Sequence, residues 1–260
     1  MKVVILCGGQ GTRLREQTEV TPKPMVEIGG RPMLWHIMKI YAHYGLKDFV
    51  LCLGYKGEVI KDYFVNYELR NNDLAVRLGD GAKARVLRGN GETDWNVSLI
   101  ETGDRAQTGA RVYRVREQLG GERFGLTYGD GLGNIDVRAL LDFHKKHGKL
   151  ATVTGVRPPG RFGELELDGD QVVAFAEKAQ VTESFINGGF FVIEPEFIER
   201  YLSDDDDLVL EREPLQRVAV DGELMMFAHK DFWLPMDTYR EWKMLEEMWD
   251  GGTAEWKVWD

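Results

Sequence analysis

Cysteine is scarce: Cys7 and Cys52 are the only two in 260 residues, and each lies inside an apolar run. That placement argues against a disulfide framework, a cysteine-ligated metal or a thiol nucleophile, and for buried structural thiols. No apolar stretch approaches the roughly 18 residues that a membrane span requires, and no signal-peptide pattern is present. A cytoplasmic protein without a membrane partner is therefore expected. Basic residues are outnumbered, 33 against 43 acidic, for a formal net charge of -10. Nucleic acid would be repelled by most of such a surface, so a polyanionic ligand would need a local basic site. Histidine is sparse too: His36 and His43 lie in a helical stretch with no carboxylate or cysteine at metal-ligand spacing, and are read as structural or solvated. No Ser-His-Asp or Cys-His arrangement for nucleophilic catalysis is evident. The 43% apolar and 29% charged content is that of an ordinary globular protein of one large domain.

What is present is concentrated near the start of the chain. Val3-Val4-Ile5-Leu6-Cys7 reads as a central parallel strand buried on both faces, and it stops at paired glycines. The loop that follows, Gly8-Gly9-Gln10-Gly11-Thr12-Arg13-Leu14, has three glycines in four positions. Such a backbone turns sharply and leaves its N–H groups uncovered, which suits a polyanion lying against the main chain. Arg13 and Lys23 add charge, the first as a planar fork of donors and the second as a mobile point charge. Pro22 and Pro24 flank Lys23 and are expected to keep Thr21 and Lys23 extended, a stiff mount for the ammonium. The spacing fits neither a Walker loop nor the dinucleotide fingerprint. On residues alone, a glycine turn with incidental charges stays open as the alternative.

Downstream, strand and helix patterns alternate. Leu34, Ile37, Met38, Tyr41 and Tyr44 share a helical face over 32–44, a strand follows at 49–53 and a helix at 58–67. Such repeats imply right-handed crossovers and a mainly parallel sheet. Residues 71–94 break into polar pieces and read as a loop or hairpin excursion. A strand at 96–102 leads to a helix over 108–119 with Thr108 as its N-cap; the N-terminus of that helix, with Ala106 and Arg111, is either a nucleotide contact or a basic solvated face. The apolar strand at 124–128 ends at Gly129-Asp130-Gly131, which puts a carboxylate where open α/β sheets place ligand chemistry. A helix at 135–147 and a strand at 150–156 close the alternation. Hairpin strands flank Asp168-Gly169-Asp170, a strand over 184–193 is interrupted by Gly188-Gly189, and the acidic run 204–207 reads as a solvated linker before a helix at 208–220. After a strand at 224–229, Asp237 ends a further strand and precedes a helix, as a second site carboxylate or as that helix's cap.

Gly8-Gly9-Gln10-Gly11-Thr12-Arg13-Leu14 with Pro22-Lys23-Pro24 resembles the signature of the sugar-1-phosphate nucleotidyltransferases. Met25-Val26-Glu27-Ile28-Gly29-Gly30, Leu53-Gly54-Tyr55-Lys56-Gly57, Thr127-Tyr128-Gly129-Asp130-Gly131, Pro158-Pro159-Gly160-Arg161-Phe162-Gly163 and Asn187-Gly188-Gly189-Phe190-Phe191 are similar, in order, to its cytidylyl-transferring members. The resemblance implies a Rossmann-like α/β fold with a mixed, mainly parallel sheet. It also implies a nucleotide-binding half, 1–156, and a smaller β-rich half, 157–260, for sugar binding and oligomerisation. CTP, α-D-glucose 1-phosphate and Mg²⁺ are the implied substrates and cofactor. By the same resemblance Arg13, Lys23, Asp130 and Asp237 carry the chemistry, with Asp130 and Asp237 on the metal. Leu6, Cys7, Gly8, Gly9, Gln10, Gly11, Thr12, Arg13, Lys23, Ala106, Arg111 and Gly129 would meet the nucleotide. Tyr128, Glu177, Lys178, Asn187 and Gly188 would meet the sugar phosphate; the family continues Glu-Lys-Pro where Ala179 and Gln180 follow here. Trp242, Leu245 and Trp249 at helical spacing, with Trp256 and Trp259 behind them, are expected at an interface of a homo-oligomer, up to a hexamer.

Overall fold

Val3–Leu6 is buried on both faces. Its alternate side chains serve two separate cores: Val3, Ile5 and Cys7 enter one, and Val4 and Leu6 the other. The computed structural model describes residues 1–9, 21–79, 83–89, 91–157, 164–168, 171–176 and 184–260. Gln10, Gly11, Thr12, Arg13, Glu177 and Lys178 lie outside these residues. Among the described residues, one sheet contains Val3–Leu6 (β1), Asp48–Leu53 (β2), Asn96–Glu101 (β3), Phe124–Tyr128 (β4), Ala151–Val156 (β5), Ile186–Asn187 (β6), Phe191–Ile193 (β7) and Leu224–Ala228 (β8). β1 lies between β2 and β4, parallel to both, and β3 extends the sheet parallel to β2. β7 is antiparallel to β4 and β5, β6 continues the β7 side of β5 past Gly188-Gly189, and β8 runs parallel on the other side of β5. The sheet is thus mixed and mainly parallel, and strands from both sides of residue 156 belong to it.

Helices cover both faces. Met33–His43 (α1), Gly57–Val65 (α2) and Val137–His147 (α4) pack on the face that receives Ile5, and Thr108–Arg114 (α3), Pro195–Tyr201 (α5) and Glu213–Val220 (α6) on the face that receives Val4. Of the α1 face expected from its spacing, Leu34, Ile37, Met38 and Tyr41 are buried, while Tyr44 caps the helix and is half-buried. The excursion at 71–94 contains a hairpin, Asp73–Arg77 with Lys83–Arg88. Two helices are shorter than expected. The stretch 108–119 breaks after Arg114 into α3 and a short turn Arg116–Leu119 that ends on left-handed Gly120. The helix expected at 208–220 begins only at Glu213, because 204–211 is occupied in docking on α3: Gln107 N–H donates to Asp206 O, Gly109 N–H donates to Leu208 O, and Arg114 pairs with Asp204 and Asp206. The acidic run thus stays exposed to solvent, as expected, while Asp204 and Asp206 also tie it to α3 through Arg114. Among the described residues no helix is long and apolar enough to cross a membrane.

The aromatic tail packs on its own chain. In Tyr239–Asp250 (α7) Leu245 is fully buried, as is Trp256 beyond it, and Trp242 Nε1–H donates to Glu27 O. Trp249 stacks on Trp256 and crosses the site of a Gly29 side chain so closely that a Cβ there would stand 2.0 Å from its ring. Gly29 also has φ +58°, a second reason for glycine. These aromatics thus pack within the subunit, with Trp242, Trp249 and Trp259 only partly covered.

His36 lies at the centre of this cluster and is completely buried. Its Nε2 donates to Ile28 O at 2.9 Å and its Nδ1 accepts from Trp256 Nε1–H at 3.3 Å, so the neutral ring fits and a second N–H does not. Burial lowers its pKa from 6.5 to about 4. The unfolded chain takes up a proton near pH 6.5 that the folded chain refuses until about pH 4, so the contribution of His36 is intact above pH 6.5 and is lost as pH falls to 4. Between those limits the wild type should lose about 3 kcal/mol more stability than His36→Gln, itself weaker at neutral pH. Parallel curves of Tm against pH for the two proteins would show that His36 takes no part in acid unfolding.

Candidate active site

The connections from β1 lead first to β2 and β3 on one side, and β4 then lies on the other side. At such a reversal the crossovers diverge and leave a crevice at the carboxyl ends of the two strands. A cavity of about 690 Å³ lies there, within the size range of small-molecule sites. Leu6, Gly8 and Gly9 after β1, Lys23 and Pro24, Asp104 to Thr108, Arg111, Tyr128, Gly129, Asp130 and Asp237 line it.

Lys23 opens a 3-10 turn, Lys23–Met25, in which Met25 N–H donates to Pro22 O and Val26 N–H to Lys23 O. The turn replaces the extended conformation expected between two prolines. It aims the ammonium at two carboxylates: Lys23 Nζ is 2.7 Å from Asp130 Oδ2 and 2.6 Å from Asp237 Oδ1. Burial acts to lower the Lys23 pKa, but the charges and hydrogen bonds of Asp130 and Asp237 outweigh it and hold the group above its ordinary range. A short antiparallel pair brings the two aspartates together. Gly131–Gly133 runs beside Trp233–Pro235 with Gly131 opposite Pro235, and Met236 N–H donates to Asp130 O. Helix capping falls to Thr238, whose side chain accepts from Glu241 N–H in a capping box. The Asp237 carboxylate instead meets Lys23. Among the described residues no group of three or more His, Cys, Asp or Glu side chains could hold a metal.

Arg111 is buried, and its guanidinium donates to Leu53 O at 2.8 Å, Thr102 Oγ1 at 2.8 Å and Gly8 O at 3.1 Å. A Cβ on Gly8 would stand 2.1 Å from Arg111 Nη1, so the first glycine of the loop is required by the arginine that crosses it. Arg111 thus anchors the loop and also borders the cavity. Gly129 has no room for a side chain either, since its Cβ would lie 2.8 Å from Pro24 and 2.9 Å from Leu6 O. Ala106 lines the cavity as expected. Cys7 does not. Its thiol is fully buried, its N–H donates to Cys52 O, and burial pushes its pKa up, so it belongs to the core behind Gly8.

Tyr128 lines the cavity, whereas Asn187 and Gly188 do not. Asn187 reaches the site through Tyr128, to whose Oη its Nδ2 donates at 2.9 Å. Gly188 is a packing position: its Cβ would stand 2.5 Å from Val156, and its carbonyl accepts from Trp233 Nε1–H. Thr108 is not the N-cap of α3, since Gln107 holds that position. Its hydroxyl donates to Glu211 Oε2 and accepts from Leu210 N–H. The cavity residues that sequence reasoning did not assign to the site are Pro24, beside Lys23, and Asp104, Arg105 and Gln107, which follow a strand end without a recognisable motif.

The family profile described as "Nucleotidyl transferase" matches residues 2–236. The chain is 51% identical to "Glucose-1-phosphate cytidylyltransferase" of Salmonella typhi, with 100% of each chain covered. It is 45% identical to "Probable glucose-1-phosphate cytidylyltransferase" of Bacillus subtilis (strain 168), again with 100% of each covered. Among solved structures, HddC from Yersinia pseudotuberculosis shares the fold with a TM-score of 0.68 at 24% identity, covering 95% of this chain and 99% of that one. With the crevice at the carboxyl ends of β1 and β4 and the match across most of its length, the chain belongs to the nucleotidyl transferase family of enzymes.

Proposed function

We propose that this enzyme transfers a cytidylyl group from CTP to α-D-glucose 1-phosphate, giving CDP-glucose and pyrophosphate. One observation carries the proposal: Lys23 meets Asp130 and Asp237 at a large cavity in a chain 51% identical over its whole length to a glucose-1-phosphate cytidylyltransferase. A phosphate oxygen of the sugar phosphate attacks the α-phosphorus of CTP as the bond to pyrophosphate breaks. No covalent nucleophile on the protein is required, and the protein's work is positioning and charge neutralisation. The Gly8-Gly9 backbone receives the triphosphate along a path fixed by Arg111. Lys23 lies where a phosphate oxygen can exchange with a carboxylate as its partner. Arg13 on the triphosphate, and Lys178 and Glu177 on the sugar phosphate, complete the proposal from the sequence resemblance alone.

Two carboxylates bordering one cavity are a hard-oxygen donor pair that fits Mg²⁺, which takes one or two protein carboxylates together with substrate phosphates. Asp130 and Asp237 would hold the ion, and when bound it supplies charge stabilisation at the phosphates. CTP as nucleotide and the cytoplasm as location belong to the same proposal.

Pyrophosphate release, measured with glucose 1-phosphate, Mg²⁺ and each common nucleoside triphosphate in turn, is expected to be fastest with CTP; faster release with dTTP or UTP would overturn the choice of base, and none with any would overturn the reaction. Asp130→Asn and Asp237→Asn should each lower kcat about a hundredfold, a loss of about 2.7 kcal/mol, and raise the Mg²⁺ needed for half-maximal rate. Lys23→Ala should weaken nucleotide binding about tenfold. The double aspartate variant should cost much less than the sum of the two. Fully additive losses would mean that the two carboxylates act separately.

We also propose assembly into a homo-oligomer, with a hexamer as the form the sequence resemblance suggests. Beside the partly covered tail aromatics, the proposal rests on the exposed apolar side chains of Val76, Leu78 and Leu87 in and next to the hairpin. Light scattering at micromolar protein should give a multiple of 29.7 kDa that falls on Leu78→Glu; a monomer mass for the wild type would end this part of the proposal.

A further inference from the structure

Glu211 lies 83 positions from Tyr128 and 103 from Thr108 along the chain, yet its carboxylate holds both. Tyr128 Oη donates to Glu211 Oε1 at 2.6 Å, and Thr108 Oγ1 donates to Glu211 Oε2 at 2.7 Å. Both partners line the cavity, whereas Glu211 does not. We infer that Glu211 is a positioning residue for the sugar-phosphate side of the site: it takes the only proton of the Tyr128 hydroxyl and so turns that oxygen toward substrate as an acceptor.

The hydrogen-bond inventory supports this. A phenol has one O–H to give and two lone pairs. The O–H goes to Glu211, and one lone pair receives Asn187 Nδ2, whose own Oδ1 is fixed by Gly189 N–H at 2.9 Å. One acceptor position is left, on a residue two places before Asp130, and it suits the hydroxyl of a sugar. Burial, and then the nearby Glu211 charge, also raise the phenol's pKa, so the O–H stays protonated. The Thr108 side of the clip has other anchors. Its hydroxyl accepts from Leu210 N–H, and the wall around it is tied by Gln107 N–H to Asp206 O and by Gly109 N–H to Leu208 O. Apart from Glu211, the Tyr128 hydroxyl has Asn187 alone as a hydrogen-bond partner among the described residues. Loss of Glu211 should therefore be felt at the sugar more than at the nucleotide. The inference rests on the cytidylyl-transfer reading for the identity of the sugar phosphate.

The test uses the full-length enzyme with CTP, glucose 1-phosphate and Mg²⁺. Glu211→Ala should raise KM for glucose 1-phosphate about tenfold, with kcat changed less than about threefold and Kd for CTP less than about twofold. Tm should stay close to that of the wild type. Glu211→Gln keeps the size but offers one acceptor to two hydroxyl donors, and should fall between. Tyr128→Phe should raise the same KM, and the double variant Glu211→Ala with Tyr128→Phe should be no worse than the poorer single variant, because both act through one hydroxyl. An unchanged KM in an active Glu211→Ala enzyme would overturn the inference. So would fully additive losses, or a rise in KM for both substrates in step with a fall in Tm. A wild type that releases no pyrophosphate from these substrates would instead overturn the cytidylyl-transfer reading, and this inference with it.

Discussion

An ammonium held between two carboxylates is the contact on which the site depends. Lys23, Asp130 and Asp237 come from a turn after the first strand, the end of a central strand and the entrance to the last helix. Two carboxylates bordering one partly buried place repel each other unless a cation lies between them. In this protein the cation is part of the chain, so the carboxylates stay paired before any substrate arrives. The surrounding structure serves this geometry: Gly129 lets Pro24 approach, the pair Gly131–Gly133 and Trp233–Pro235 sets the spacing of the aspartates, and the capping box at Thr238 frees Asp237 from a structural duty.

The Gly8-Gly9 side of the cavity is arranged by a different device. Arg111 is buried against three neutral oxygens, with the Asp104 charge also acting on it, an arrangement that places positive charge beside Gly8 and holds its carbonyl. The 204–211 segment presses on the same helix from outside through Asp204, Asp206 and Leu208. One wall of the cavity is therefore clamped by parts of the chain that are remote in sequence, and Glu211 belongs to the same clamp.

Much of this was legible in the sequence where local pattern decides the outcome. Continuous apolar runs gave β1, β2 and β4, because parallel strands buried on both faces need no polar side. The α1 face followed from residue spacing, and Asp130 from its place after a strand. Legibility ends where a residue's role depends on a distant partner. The run at 204–207 is solvated as its composition suggests, but its pairing with Arg114 depends on the fold, and Glu211 stands in no motif. In the aromatic tail nothing local shows that Gly29 leaves room for Trp249 or that His36 accepts from Trp256. Thr238 followed three residues later by Glu241 is a local capping-box pattern that assigns the cap to Thr238 and not to Asp237.

The separation of Lys23 from Asp237, 214 positions, has a consequence for synthesis. The chain emerges from the ribosome amino end first, so the glycine loop and the first parallel strands are available to pack long before the second carboxylate exists. Until residue 237 is made, Lys23 has only Asp130 to meet, and the strand that pairs with Gly131–Gly133 is absent. Closing so long a loop is a late and entropically costly event. A chain that stops before residue 237 therefore lacks one of the two carboxylates that hold Lys23.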